Sequence, residues 1–119
     1  MKYVLMFTEN EEGRGYWETL TEAQRATAYG RINHWFEEHG KAGRIVGGEE
    51  LQGPSSSTTV RLRNGKAIVT DGPFAEAKEI VGGFAIVEVK DLDEALEMAK
   101  GWPGGSAVEV RPVVDHSND

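Results

Sequence analysis

The dipeptide Asn64-Gly65 is the most informative single signal for the fold of this 119-residue sequence. It separates two runs rich in β-branched and apolar residues, 58–63 and 66–70. Asn-Gly favours the two-residue turns whose twist matches that of paired antiparallel strands, so it predicts a β-hairpin. If the residues that flank the turn form the first pair, the resulting register aims the Asp71 side chain at the apolar side of the hairpin.

The other segments alternate between strand-like and helix-like patterns. Capping-box signatures predict helices that begin after Thr21 and after Asp91, whereas residues 9–19 are polar, contain glycine and are typical of a loop. Strand patterns cover residues 2–8, 44–51, 84–89 and 108–114. This order predicts an α+β fold, a ferredoxin-like split β-α-β sandwich with an inserted hairpin and two helices on one face of an antiparallel sheet.

Length, charge and the absence of cysteine limit the class of protein. A chain of 119 residues corresponds to one domain, which we assign to residues 1–114, with 115–119 as a flexible C-terminal tail. The net charge of −7 argues against a nucleic-acid partner, and no apolar run suits a membrane span. Without cysteine there is no disulfide or thiol chemistry, and the cytoplasm is the expected compartment.

The first predicted strand is apolar on both of its faces. Tyr3, Leu5 and Phe7 alternate with Val4 and Met6. The two predicted helices can cover only one of the two faces of the sheet. An open second face would expose an apolar patch of roughly several hundred Å², which monomers seldom tolerate. We therefore expect a homodimer formed through, or beside, the open face of the sheet.

Five segments, in order along nearly the whole chain, resemble the YCII-related superfamily, and the central one resembles its DGPF branch. They are MKYVLMF (1–7), AGRIVGGEEL (42–51), VTDGPFAEAKEIVGGFAIVEV (69–89), DLDEALEMAKGWP (91–103) and AVEVRP (107–112). The resemblance implies a ferredoxin-like, homodimeric protein of the dimeric α+β barrel type. Its relatives include lyases and dehydrochlorinases, and DGPF proteins often accompany sigma factors, but a shared fold does not transfer chemistry.

The resemblance also implies a catalytic His within an Arg-x-x-His sequence on the first helix, with an Asp before the second strand. The sequence Arg31-Ile-Asn-His34 matches the first half, but Gly43 stands where the acid is expected. Asp71 is then the candidate that would orient the His34 imidazole for acid-base catalysis. The alternatives are that Asp71 accepts backbone hydrogen bonds of the following turn, and that His34 lies on the polar, exposed side of its helix.

Three charged residues near the central segment are candidate binding residues: Glu76, Lys78 and Arg61. Glu76 would be favoured at the amino end of a short helical turn, and Lys78 would line a pocket mouth or pair across the dimer. A solvated face is the alternative for both. Arg61 would bind an anion or pair with a glutamate on a neighbouring strand. The scattered histidines have no ligand spacing, so neither a metal nor a cofactor is predicted.

These patterns predict a homodimeric YCII/DGPF-like protein of unassigned activity, with a small-molecule pocket near Asp71 between the sheet and its dimer mate. One alternative is a cofactor-independent lyase or isomerase that uses His/Asp acid-base chemistry. Another is an accessory protein that works with a sigma factor. The sequence leaves open whether the protein is an enzyme.

Overall fold

A computed structural model describes residues 1–74, 78–105 and 107–117 of the chain. Its elements in chain order are β1 (Lys2–Asn10), α1 (Glu11–Thr19), α2 (Glu22–Lys41), β2 (Ile45–Glu50), a 3-10 helix (Pro54–Ser56), β3 (Thr58–Arg63), β4 (Lys66–Asp71), β5 (Glu79–Glu88), α3 (Leu92–Lys100) and β6 (Ala107–Pro112). No described helix is long and apolar enough to cross a membrane.

The main sheet has four strands in the order β2-β5-β1-β6. Each neighbouring pair is antiparallel. Two β-α-β units, β1-α2-β2 and β5-α3-β6, therefore interlock so that β5 and β1 lie side by side in the centre. This is the ferredoxin-like α+β arrangement, and the sequence prediction of the fold class is confirmed.

The core lies between the main sheet and the helices α2 and α3. Trp35 is buried, and its indole nitrogen donates a hydrogen bond of 3.0 Å to the Met98 carbonyl oxygen, which joins α2 to α3. The bond satisfies a polar group that would otherwise be costly to bury. The buried apolar side chains are Tyr3, Leu5, Phe7, Trp35, Ala85, Val87, Val89, Ala95 and Met98.

The helix starts at Thr21 and Asp91 follow the predicted capping chemistry. The Thr21 hydroxyl accepts from the Gln24 amide, and the Gln24 side chain accepts from the Thr21 amide, so the capping box is complete. The Asp91 carboxylate likewise accepts from the Glu94 amide, at 2.9 Å. Such caps satisfy amides that have no partner within the helix.

The prediction of a loop over residues 9–19 is wrong. β1 continues to Asn10, and α1 follows it directly. The Asn10 side chain caps α1 by accepting a hydrogen bond of 2.7 Å from the Gly13 amide. No residue of α1 is buried. Trp17 packs edge-on against Tyr29 of α2 at 5.2 Å, and the Arg25 guanidinium of α2 donates to the Trp17 and Glu18 carbonyl oxygens.

The hairpin β3–β4 has the predicted register, with Arg63 opposite Lys66 and Thr58 opposite Asp71. It forms a two-stranded sheet of its own. Of its two strands, Thr59 alone is partly buried. Asp71 therefore lies on the apolar side of the hairpin, as the register predicts, but no layer from the described part of the chain covers that side, and Asp71 is exposed.

Candidate functional site

His34, the predicted catalytic base, lies on the exposed side of α2. Its Nε2 is 3.7 Å from Glu38 Oε2, one helical turn away, and its side chain is 77% exposed. Among the described residues, the structure has no hydrogen bond or ion pair between His34 and Asp71. The two side chains do not form a pair within one chain, and their catalytic role stays a prediction.

The turn after β4 is held by contacts other than those expected of Asp71. The Thr59 hydroxyl donates to the Gly72 carbonyl at 2.7 Å, and the Gly72 amide donates to the Ser57 carbonyl. The Arg61 guanidinium donates to the Phe74 carbonyl oxygen. Arg61 therefore ties the hairpin to the segment that follows it, in place of the predicted contact with a glutamate.

Of the other two predicted binding residues, Lys78 is exposed, and Glu76 lies outside the described residues. Two cavities lie elsewhere, between the helices and one end of the main sheet. Neither cavity is lined by any of the four predicted site residues that the structure describes, which are His34, Arg61, Asp71 and Lys78. Their roles in binding remain predictions.

The first cavity, which we call the helix cavity, has a volume of about 570 Å³. It lies between α1, α2 and the loop 103–105. Since α1 contributes no buried residue to the core, one wall of this cavity is weakly anchored. Its lining comprises Glu9, Gly13, Tyr16, Trp17, Leu20, Gln24, Thr27, Ala28, Arg31, Ile32, Pro103, Gly104 and Gly105.

The second cavity, which we call the sheet cavity, has a volume of about 340 Å³ and adjoins the first at Glu9, Ile32 and Gly104. Its walls come from the central strands β1 and β5, the edge strand β2, α2 and the segment 102–104. The lining comprises Phe7, Thr8, Glu9, Tyr29, Ile32, Asn33, Phe36, Gly48, Glu49, Glu50, Gly82, Gly83, Trp102 and Gly104.

Glycines bring β2 and β5 close together beside the sheet cavity. Gly48 has a φ of +148°, and a Cβ at this position would overlap the Phe84 carbonyl oxygen. A Cβ at Gly82 would lie 3.1 Å from Glu9 Oε1, so the Glu9 carboxylate lies directly over that glycine. Phe7 is opposite Gly83 and Thr8 is opposite Val81, so Gly82 is the extra residue of a bulge in β5.

Aromatic rings form one wall of the sheet cavity. Phe7 and Trp102 are stacked with their centroids 3.8 Å apart, and Phe36 meets both rings edge-on, at 6.1 and 5.8 Å. Because each ring is fixed by the others and by Trp35, this wall is rigid. The Trp102 indole nitrogen is buried and has no hydrogen-bond partner among the described residues.

Carboxylates face the aromatic wall. Glu50 is paired with Gly83, which is opposite the core residue Phe7, so the register puts Glu50 on the helix side of the sheet. The Glu9 carboxylate lies over Gly82, on the same side of the cavity as Glu50. Glu49 also belongs to the lining, but it is opposite Phe84, so the register directs its side chain to the other face of the sheet. None of the described lining residues is basic. The site is therefore aromatic and negatively charged.

His39 is the buried polar residue of the core, at 9% exposure. Its ring packs against Trp35, and its Nδ1 lies 3.1 Å from Arg44 Nη1, a group that can only donate. Burial, together with the charge of Arg44, lowers the pKa of His39 from its ordinary value of 6.5.

The residues described in 1–74, 78–105 and 107–117 contain no cluster of three or more His, Asp and Glu side chains that could bind a metal ion.

A family model for the YCII-related domain matches residues 1–117. The chain belongs to the YCII-related family. An uncharacterised protein of Rhizobium meliloti (strain 1021) is 30% identical to this chain over 117 residues, which is 95% of this chain and 92% of the relative.

Sequence reasoning missed the cavity residues of this YCII-related protein. Glu9 and Glu50 follow strand patterns in regions rich in acidic residues, so nothing in their local sequence marks them. The glycines of these strands are the signal that could have indicated the site. A Cβ at Gly48 would overlap the backbone of the neighbouring strand, and a Cβ at Gly82 would lie close to the Glu9 carboxylate. Pairing these glycines across β2 and β5 requires the three-dimensional strand order.

Proposed function

We propose that this YCII-related protein binds a small organic cation in the sheet cavity. The observation that carries the proposal is the lining: rings of Phe7, Phe36 and Trp102 on one side, carboxylates on the other, and no basic residue among those described. A volume of about 340 Å³ is within the usual range of small-ligand sites.

The two kinds of wall favour a cation in different ways. An ammonium group over an aromatic face gains about 0.5–2 kcal/mol, more when it leaves water. Glu9 and Glu50 add an opposite charge whose effect is strengthened in a partly enclosed site. An anion would face repulsion from the same carboxylates, and a neutral ligand would gain from the rings alone.

We further infer that the chain falls in the DGPF branch of its family, which the segment 69–89 supports. A lyase or isomerase reaction of His34 and Asp71 does not form part of this proposal, because neither residue lines the sheet cavity. The proposed function is ligand binding at a site formed by other residues.

The proposal is tested with choline and its neutral carbon isostere, 3,3-dimethyl-1-butanol, by isothermal titration calorimetry. Choline is expected to bind at least about tenfold more tightly, since one positive charge is the main difference between the two and about 1.4 kcal/mol corresponds to that factor. Glu9→Gln and Glu50→Gln are each expected to weaken choline binding about five- to thirtyfold, a loss of about 1–2 kcal/mol.

Glu37→Gln is the matched control, because Glu37 is an exposed glutamate of α2 that pairs with Lys41 and lies outside the cavity. It should leave the affinity unchanged, and circular dichroism should show that all three variants are folded. Equal affinity for choline and the neutral alcohol, or choline binding that neither cavity variant weakens, would contradict the proposal.

A further inference from the structure

The helix cavity carries a positive charge that the sheet cavity lacks. Arg31 of α2 is among its lining residues, whereas no described residue of the sheet cavity is basic. The other two polar side chains that α2 contributes to the helix cavity are bonded to the backbone of their own helix start. Gln24 Oε1 accepts from the Thr21 amide, and the Thr27 hydroxyl donates to the Ala23 carbonyl oxygen.

Arg31 itself is not engaged in this way. Its side chain is exposed and forms no ion pair or hydrogen bond with any described residue. A guanidinium presents its donors in a planar fork that matches the two oxygens of a carboxylate. Arg31 is therefore the group of the helix cavity that is available to an anion.

The helix cavity and the sheet cavity are continuous enough for one ligand to reach into both. Glu9, Ile32 and Gly104 line the two cavities together. A Cβ at Gly104 would lie 2.9 Å from Ile32 Cδ1 and from Trp102 Cζ2, so the backbone of this glycine packs closely on the aromatic wall. The volumes of about 570 and 340 Å³ leave room for a cationic group in one cavity and a chain in the other.

The opposite charges that line the two cavities do not neutralise each other. No ion pair joins Arg31 to Glu9, although both side chains line the helix cavity. A simple cation would neutralise the side of Glu9 and Glu50 and leave Arg31 without a partner. A singly charged carboxylate suits one arginine better than a doubly charged phosphate, because Glu9 repels the additional negative charge.

We propose that the ligand is a zwitterion whose ammonium group occupies the sheet cavity and whose carboxylate binds Arg31 in the helix cavity, an inference that rests on the proposed function. Along α2, Arg31 precedes Phe36 of the aromatic wall by about 7.5 Å of helix rise. The two charges of the ligand must therefore be separated by a chain of several carbon atoms, and Arg31 determines specificity for its far end.

The proposal is tested by isothermal titration calorimetry with 6-(trimethylammonio)hexanoate and its methyl ester, which share the cationic group and the chain and differ in the negative charge. The acid is expected to bind at least about tenfold more tightly, through a charge-assisted contact with Arg31. The net charge of −7 attracts the cationic ester more strongly than the zwitterion. The long-range field thus works against the expected result.

Arg31→Gln should reduce the preference for the acid to less than about twofold and leave the affinity for the ester unchanged, because only the contact with the carboxylate is lost. Arg31→Lys keeps the positive charge without the planar fork and should retain part of the preference. Arg14→Gln is the matched control, since Arg14 is an exposed arginine of α1 that lines neither cavity. This variant should keep the full preference.

Glycine betaine, whose carboxylate is one carbon from the ammonium nitrogen, is too short to span the two cavities, so Arg31→Gln should leave its affinity unchanged. Equal binding of the acid and the ester, a preference that survives Arg31→Gln, or binding of glycine betaine that depends on Arg31 would overturn the inference. In each of these cases the cation site of the sheet cavity stands, because the ester still binds. Failure of both the acid and the ester to bind would contradict the proposed function and the inference with it.

Discussion

Leu5 of β1 and Leu62 of β3 are both strand leucines, yet Leu5 is fully buried and Leu62 is 80% exposed. The difference lies in what covers each strand. α2 and α3 pack on the main sheet, whereas no layer from residues 1–74, 78–105 or 107–117 covers the apolar face of the hairpin. Alternation of apolar residues thus determines strand register in both regions, but burial depends on a second layer.

The main sheet and the hairpin also differ in the contacts that their residues make with other parts of the chain. In the body, Trp35 reaches the Met98 carbonyl oxygen, and the capping box at Thr21 sets the start of the covering helix. These contacts fix one layer on the other within a single chain. The hairpin carries Arg63 and Lys66, which form no ion pair with any described residue, and exposed apolar side chains, which are features of a surface that binds another molecule.

The largest effect expected from this comparison comes from one substitution made in both regions. Leu5→Ala should lower the free energy of unfolding by about 2–5 kcal/mol, because it leaves a cavity in the core. Leu62→Ala should lower it by less than about 0.5 kcal/mol at concentrations where the protein is monomeric, since an exposed side chain loses little. Urea denaturation followed by circular dichroism measures both values.

Equal losses for the two leucine variants in dilute protein would mean that the hairpin packs on its own body. A Leu62→Ala effect that grows with protein concentration would instead sharpen the comparison, because subunit association contributes to apparent stability by mass action.

A smaller change in stability is expected when the pH is lowered. It should come from the packed sheet and helices and not from the hairpin. The pKa of His39 is lowered by burial and by Arg44, so the unfolded chain takes up a proton before the folded one. The stabilising contribution is complete above about pH 6.5 and is lost as the pH falls below that value toward the folded pKa. Thermal melting between pH 5 and pH 8 measures the loss.

His39→Gln should remove this part of the pH dependence, whereas His34→Gln, at an exposed position of the same helix, should retain it. An unchanged slope in the His39 variant would contradict the assignment of the acid sensitivity to the buried imidazole. The ionisable groups of the hairpin are exposed, so the hairpin is expected to contribute little to the slope.

Much of the fold was predictable because its signals are local. The Asn64-Gly65 turn gave the hairpin register, and the capping residues Thr21 and Asp91 gave the helix starts. α1 was missed because its nine residues include two glycines and are mostly polar, a composition that is typical of a loop.

The candidate site was less predictable because it depends on distant pairings. Glu50 faces the cavity only because β2 pairs with β5 so that Glu50 is opposite Gly83. Glu9 lies over Gly82 only because Gly82 is the extra residue of a bulge in β5. Neither the strand order nor the bulge is visible in the local sequence. Asp71 shows the reverse case, in which a correct register was not enough to establish burial.

The most direct measurement of the proposed function is a two-dimensional NMR titration with choline that follows the three tryptophan indole N–H signals. Trp102 lines the sheet cavity, whereas the Trp35 indole is hydrogen-bonded inside the core. Saturable shifts of the Trp102 signal, with Trp35 little changed and with loss of the effect in Glu50→Gln, are the predicted result. No shift of Trp102 at millimolar choline, or the same shift with 3,3-dimethyl-1-butanol, would contradict a cation site in the sheet cavity.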